Sequence, residues 1–125
     1  MVSLSFDDGR KDTFTVAYQI MKKYGLVGTL HITTGWVDKS FKPEEWFSAR
    51  EGAMSISEIQ RCYQDGFEIT SHGDQHLIAA DDLHNSLEKL KAWEVIDPSY
   101  LGFSFPNSKL GEDDVKILKD AHIQY

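Results

Sequence analysis

Two histidines four residues apart, His72 and His76, and two adjacent carboxylates, Asp7 and Asp8, are the residues of this sequence best suited to chemistry. In a turn or short helix, imidazoles at i and i+4 can point at one cation. A carboxylate from a neighbouring strand, Asp8, completes a facial set of three ligands and leaves positions open for water and substrate. A closed structural zinc site needs a fourth protein ligand, and the pattern offers none nearby. Asp7 carries the second half of the reading. Adjacent carboxylates repel unless a cation or donor offsets them. A metal on Asp8 does so, and Asp7 then stands beside a metal-bound water as its base. Gly9 lets the chain turn sharply after the pair. Each part alone has an ordinary reading: Asp-Asp-Gly is a common turn, and an isolated His-x-x-x-His is a helix surface. The joint pattern is the specific one.

These residues are far apart in sequence, so secondary structure must bring them together. Val2, Leu4 and Phe6 alternate with polar residues, a period of two that predicts a strand ending at Asp7. A helix is expected from about Asp12 to Tyr24, with Phe14, Ala17, Ile20, Met21 and Tyr24 apolar and Gly25 as its stop. Residues 28–34 are rich in β-branched side chains and read as a second strand. Residues 35–54 show no clear period, and loops of such length are usually functional or mobile. Ser55 and Glu58 form a capping-box pair that starts a second helix, with Ile56, Ile59, Cys62 and Tyr63 on its apolar face and Gly66 as its stop. Residues 67–71 are a third strand running into the histidine segment. A third helix spans about Ala80 to Trp93, with Leu83, Leu87 and Leu90 at helical spacing. Residues 100–105 read as a fourth strand broken by Pro106. A fourth helix runs from Asp113 to about His122, with Val115, Leu118 and Ala121 inward.

Strand and helix in alternation, at about 30 residues per unit, predict parallel βαβ crossovers. In such folds chemistry gathers at the C-terminal ends of the strands. The three polar clusters, Asp7-Asp8, His72 to His76 and Ser104 to Ser108, each fall at such an end and should converge. The expected fold class is therefore α/β, a partial or distorted (β/α) barrel of parallel strands. Four units are about half of an eight-unit barrel, so the chain is expected to be truncated at its C-terminus or to be part of a longer domain.

Composition narrows the partners. The chain has 125 residues, enough for one domain, and a net charge of −7. An acidic chain lacks the basic footprint that nucleic acid or anionic lipid requires. Cys62 is the only cysteine, which excludes an intrachain disulfide and a cysteine-rich zinc site. No apolar run is long enough to span a bilayer. No signal peptide is visible, which fits a cytoplasmic chain as it stands and an envelope or secreted one if the N-terminus is trimmed. The loop aromatics Trp36, Phe41, Trp46 and Phe47 suit a rim that stacks on sugar faces, or equally a cover over the core. Trp93 is expected in the core. His31, in a strand, faces either core or pocket, and His84 and His122 lie on exposed helix faces.

Ser5-Phe6-Asp7-Asp8-Gly9 resembles the first motif of the polysaccharide deacetylases, carbohydrate esterase family 4 with its NodB-homology domain. Ser71-His72-Gly73-Asp74-Gln75-His76 resembles the second, a His-[Ser/Thr]-x-x-His segment. Phe103-Ser104-Phe105-Pro106-Asn107 falls where the third belongs, an Arg-x-Pro-Tyr-like loop. The resemblance covers almost the whole chain, as the N-terminal part of such a domain. It implies a distorted barrel that removes N- or O-acetyl groups from glycans with a divalent metal: zinc first, with cobalt, manganese or nickel as alternatives. Asp7 then resembles the general base, and Asp8, His72 and His76 the metal ligands. The backbone N–H of Asn107 resembles the oxyanion donor. Trp36, Trp46, Phe105 and Pro106 are the expected substrate contacts.

Three departures stand beside this. Gly73 replaces the usual Ser or Thr. Ser104 replaces an Arg that orients the base, and Ser cannot supply its charge. The late motifs, which bring an apolar acetyl pocket and a general-acid His, have no counterpart up to Tyr125; His122 comes too early in the order. The alternative readings are a carbohydrate-binding or structural barrel without catalysis, and a hydrolase of another amide C–N bond.

Overall fold

The computed structural model describes residues 2–43, 45–48, 52–111 and 113–124, with side chains left aside at positions 46 and 48. Strand β1 (Ser5–Phe6) leads into a π-helical segment, Thr13–Tyr18, which continues as α1 (Gln19–Lys23). Then follow β2 (Thr29–Ile32), the short helices α2 (Thr34–Val37) and α3 (Glu45–Ser48), α4 (Ile56–Gln64), β3 (Glu68–Ser71), α5 (Ala80–Ala92), a 3₁₀ turn at Pro106–Ser108 and α6 (Asp114–Asp120).

The strands form a parallel sheet in the order β1-β2-β3. Ser5 pairs with Thr29 and Phe6 with Leu30; His31 pairs with Thr70 and Ile32 with Ser71. Because side chains alternate along a strand, one face presents Leu30, Ile32 and Ile69. These are buried with Ile59 and Cys62 of α4 and Leu83, Leu87 and Leu90 of α5. The opposite face is polar: Thr29 and His31 stand beside Glu68 and Thr70, and the same alternation puts Asp7 and His72 there. The crossover helices thus cover the apolar face and leave the polar face for the site. The Ser55–Glu58 capping box is formed, Ser55 N–H to Glu58 Oε2 at 2.8 Å and Glu58 N–H to Ser55 Oγ at 3.3 Å.

Four sequence expectations are corrected. The fourth strand is reduced to one parallel bridge, Ser71 to Phe103. Its neighbour Leu101 gives its N–H to Gln124 Oε1 (2.6 Å) and its C=O to the Gln124 N–H (2.9 Å), so its backbone is already satisfied. The first helix is π-helical over its first half. Thr13 and Tyr18, five residues apart, are both buried, the spacing of i→i+5 bonding rather than of an α-helix. That shift turns Ile20 and Tyr24 outward, at 54% and 67% exposure. In α6, Val115 is exposed, and Ile117 packs on the core with Leu118 and Ala121. The region 35–54 is not featureless, since α2 and α3 lie within it.

Candidate metal centre

Asp8 reaches the site through a left-handed turn. Its φ is 73° and that of Gly9 is 72°. Asp tolerates this region better than most residues. At Gly9 a Cβ would come 3.2 Å from Ile32 Cδ1, so the turn packs against β2. The Gly9 carbonyl accepts the Met54 N–H at 2.9 Å, fixing the turn from the other side.

His72 follows β3 directly, and its N–H donates to the Ile32 carbonyl at 2.9 Å, extending the sheet pairing. His76 closes the loop with φ 61°. Both rings are buried and lie 5.0 Å apart between centroids. Asp8 Oδ1 stands 3.5 Å from His72 Nε2 and 3.4 Å from His76 Nε2. The three donor atoms all lie within 4.8 Å of one another.

The protonation pattern shows what this arrangement needs. His72 Nδ1 lies 2.9 Å from the Ser104 carbonyl, and a carbonyl only accepts, so Nδ1 carries the hydrogen. Burial pushes the His72 imidazole down to about 4, against the Asp7 carboxylate and the Ser104 carbonyl, which raise it. At neutral pH the ring is therefore neutral, with a bare Nε2 lone pair facing the Asp8 carboxylate. Two acceptors facing each other repel, and a cation between them would satisfy both. Two donors at ~2.1 Å from one ion in tetrahedral directions lie about 3.4 Å apart, which matches the Asp8–imidazole separations. Two nitrogens and one carboxylate oxygen fit a divalent ion such as zinc. The Ser104 carbonyl is the kind of outer partner that orients a metal-binding His.

Asp7 is exposed and is not among the three converging donors. The Ser104 hydroxyl lies 3.4 Å from its Oδ1. Asp7 also lines a groove of about 510 Å³ along the β1 edge, with Arg10 and Val16 among its walls. Asn107 lies in the 3₁₀ turn after Ser104, exposed and left-handed at φ 57°. Phe105 is half-buried with its ring edge-on to Phe103 at 5.5 Å, and Pro106 is buried. Trp36 is only 3% exposed. Its ring packs on Phe47 (4.4 Å) and on the His76 ring (5.1 Å). The structure therefore puts Trp36 under the loop, packed on the His76 ring, rather than on a rim facing a sugar. The Trp46 side chain lies outside the described residues. His31 is on the polar face, hydrogen-bonded through Nδ1 to Thr70 Oγ1, with its ring 6.5 Å from that of His72.

Sequence reasoning missed the residues that hold the histidine loop. Buried Asp82 of α5 accepts the backbone N–H groups of Asp74 (2.9 Å) and Gln75 (2.7 Å). Desolvation by burial raises its carboxyl pKa, opposed by these amide donors. The Asp74 carboxylate accepts from Thr34 Oγ1 and Lys89 Nζ, each at 2.7 Å. Lys89 also pairs with Asp38 at 2.8 Å. The first N–H groups of α2 bond back to the same loop, Thr34 to the Gly73 carbonyl and Gly35 to the Asp74 carbonyl. In the sequence, Asp82 reads only as an acid favourable to the N-terminal turn of a helix, and nothing in its spacing marks the contact.

No curated protein matches the chain significantly. Among solved structures, the deacetylase PplD of Streptococcus pyogenes, in complex with acetate, is similar with TM-score 0.79. It is 20% identical over 96% of this chain and 52% of its own. The family 4 carbohydrate esterase of Streptomyces lividans, also with acetate, gives 0.73 at 12% identity, over 98% and 59%. Wild-type BA3943 of Bacillus anthracis, a CE4 family pseudoenzyme, gives 0.67 at 17% identity, over 98% and 41%. These likenesses establish the parallel α/β fold of carbohydrate esterase family 4, and the chain spans about half the length of the solved chains it matches. The polysaccharide deacetylase family profile matches residues 1–125, and the chain belongs to that family.

Proposed function

We propose that the chain supplies the metal-binding part of a hydrolase that removes acetyl groups from an N-acetylated glycan. The observation that carries this reading is the convergence of Asp8 Oδ1 with the Nε2 atoms of His72 and His76. Asp8, His72 and His76 would hold the ion, with zinc the first assignment. When bound, the ion supplies Lewis-acid polarisation of the acetyl carbonyl and lowers the pKa of water. Asp7, next to Asp8 in the chain and exposed on the groove along the β1 edge, takes a proton from the attacking water. A C–O bond forms to the acetyl carbon, the C–N bond breaks, and the departing nitrogen gains the proton that balances the reaction. Acetate and a free amine on the sugar result. The Asn107 N–H is the donor we assign to the developing oxyanion. In support, its turn follows Ser104, whose carbonyl holds His72 and whose hydroxyl neighbours Asp7. Phe105, half-buried in the same segment, is the substrate contact assigned there, with the buried Pro106 fixing the turn behind it.

A second reading, a glycan-binding barrel without turnover, rests on the Asp7–Ser104 contact. A neutral hydroxyl at 3.4 Å orients a carboxylate less firmly than a charged guanidinium does. The test is acetate release from N-acetylglucosamine oligomers by metal-loaded protein, with and without chelator. Chelator-sensitive release supports deacetylation. Metal uptake without release supports the binding reading, and turnover only of small amides moves the substrate to another C–N bond.

A further inference from the structure

Gly73 and Asp82 form a matched pair beneath the histidine loop. Gly73 has φ +84°, and a Cβ built there would fall onto Asp82 Oδ2, within van der Waals contact. The same Cβ would stand 2.9 Å from the Leu77 carbonyl oxygen. The Asp82 carboxylate therefore occupies the space that any side chain at position 73 would need. From there it receives the N–H groups of Asp74 and Gln75 at 2.9 and 2.7 Å, two of the three residues between the ligands His72 and His76. Asp82 is buried on the first turn of α5, and α5 is anchored on β3 through Ser86 Oγ and Ser71 Oγ at 2.9 Å. Ser71 Oγ in turn accepts the Gly73 N–H at 3.1 Å. The backbone N–H groups of Asp74 and Gln75 are thus fixed by α5, which carries no ligand, and that of Gly73 by the last residue of β3.

We propose that Asp82 is a positioning residue for the metal centre, acting through the backbone of the 73–75 loop, and that Gly73 is the residue that admits it. Three residues separate the two histidines, and the left-handed backbone at His76 has to be held in place. Without an acceptor, the buried Asp74 N–H would be left unsatisfied and the part-buried Gln75 N–H would lose its partner, and the loop would turn them toward water. The inference rests on the metal reading of Asp8, His72 and His76, not on the identity of the substrate.

The test uses the whole chain and cobalt(II) as the probe. Asp82→Asn removes the charge and replaces one acceptor with a donor. We expect a 10–100-fold loss of cobalt affinity, the range of outer-shell substitutions. Faster hydrogen exchange at the amides of Asp74 and Gln75 should accompany it in the metal-free protein, with the circular dichroism of the fold retained. Gly73→Ala attacks the same pair from the other side and should give the same two changes. Gly25→Ala is its control, because Gly25 shares the positive φ (+65°) but has nothing within 4 Å of a new Cβ; it should leave cobalt affinity unchanged. Unchanged cobalt affinity in both Asp82→Asn and Gly73→Ala would overturn the proposal, as would unchanged exchange at the two amides. Cobalt binding without acetate release from wild type would remove the deacetylase reading and leave this one intact.

Discussion

The Nδ1–H of His72 is held by the main-chain carbonyl of Ser104, 32 positions later in the chain, at 2.9 Å. One bond thereby ties the second polar cluster to the third and turns Nε2 toward Asp8. The Ser104 side chain has a separate neighbour, the Asp7 carboxylate at 3.4 Å. A single residue thus touches His72, a proposed metal ligand, through its backbone and the assigned base through its hydroxyl.

Ser104→Ala separates those contacts. The carbonyl is retained, so cobalt or zinc affinity should stay within about twofold of wild type, whereas loss of the hydroxyl should lower kcat by a few-fold, a hydrogen bond's typical net worth. Metal titration and initial rates on the same preparation check both. A large fall in affinity would mean that the Ala backbone no longer holds His72.

Lys89 joins three segments by reaching Asp74 (2.7 Å), Asp38 (2.8 Å) and Ser40 Oγ (2.7 Å). Lys89→Met keeps most of the stem volume and leaves two partly buried carboxylates without their cation. The expected cost is about 1–3 kcal/mol, read as a lower urea midpoint with an unchanged slope.

Acid stability should carry the mark of Asp65. The Lys22 ammonium and the Tyr18 hydroxyl, bonded to it at 2.6 and 2.5 Å, hold its carboxyl down to about 2 from an ordinary 3.8. A carboxyl depressed on folding stabilises the native state fully above its unfolded pKa and loses that contribution as pH falls through the folded one. Unfolding curves of wild type should therefore shift to lower stability between about pH 4 and 2. Asp65→Asn should be less stable at pH 7 and flatter across that window. An identical slope in the variant would contradict the assignment.

The site was more legible in the sequence than the elements around it. A period of two before Asp7 and a strand before His72 sufficed to place both at the same sheet end, because parallel βαβ units leave little freedom there. The π-helical segment was not legible, since Phe14, Ala17 and Met21 also satisfy α-helical spacing and only the burial of Thr13 with Tyr18 separates the two. The fourth strand is shorter than its pattern suggests because alternation at Leu101 and Phe103 reflects burial of both, while the Leu101 backbone is bonded to Gln124. For Trp36 the sequence leaves rim and core equally open, because its packing on His76 depends on α2, a helix of four residues too short to show periodicity. Asp82 was invisible because its partners are backbone amides, which no side-chain pattern reports.

The most direct measurement is metal stoichiometry and affinity across five proteins: wild type, Asp8→Ala, His72→Ala, His76→Ala and Asp7→Asn. The account predicts a single divalent ion per wild-type chain, at least about a 100-fold loss of affinity in each of the three Ala variants, and near-wild-type affinity with no turnover in Asp7→Asn. An Asp7→Asn variant that loses the ion while Asp8→Ala keeps it would contradict the account, as would a wild-type chain that takes up no divalent ion.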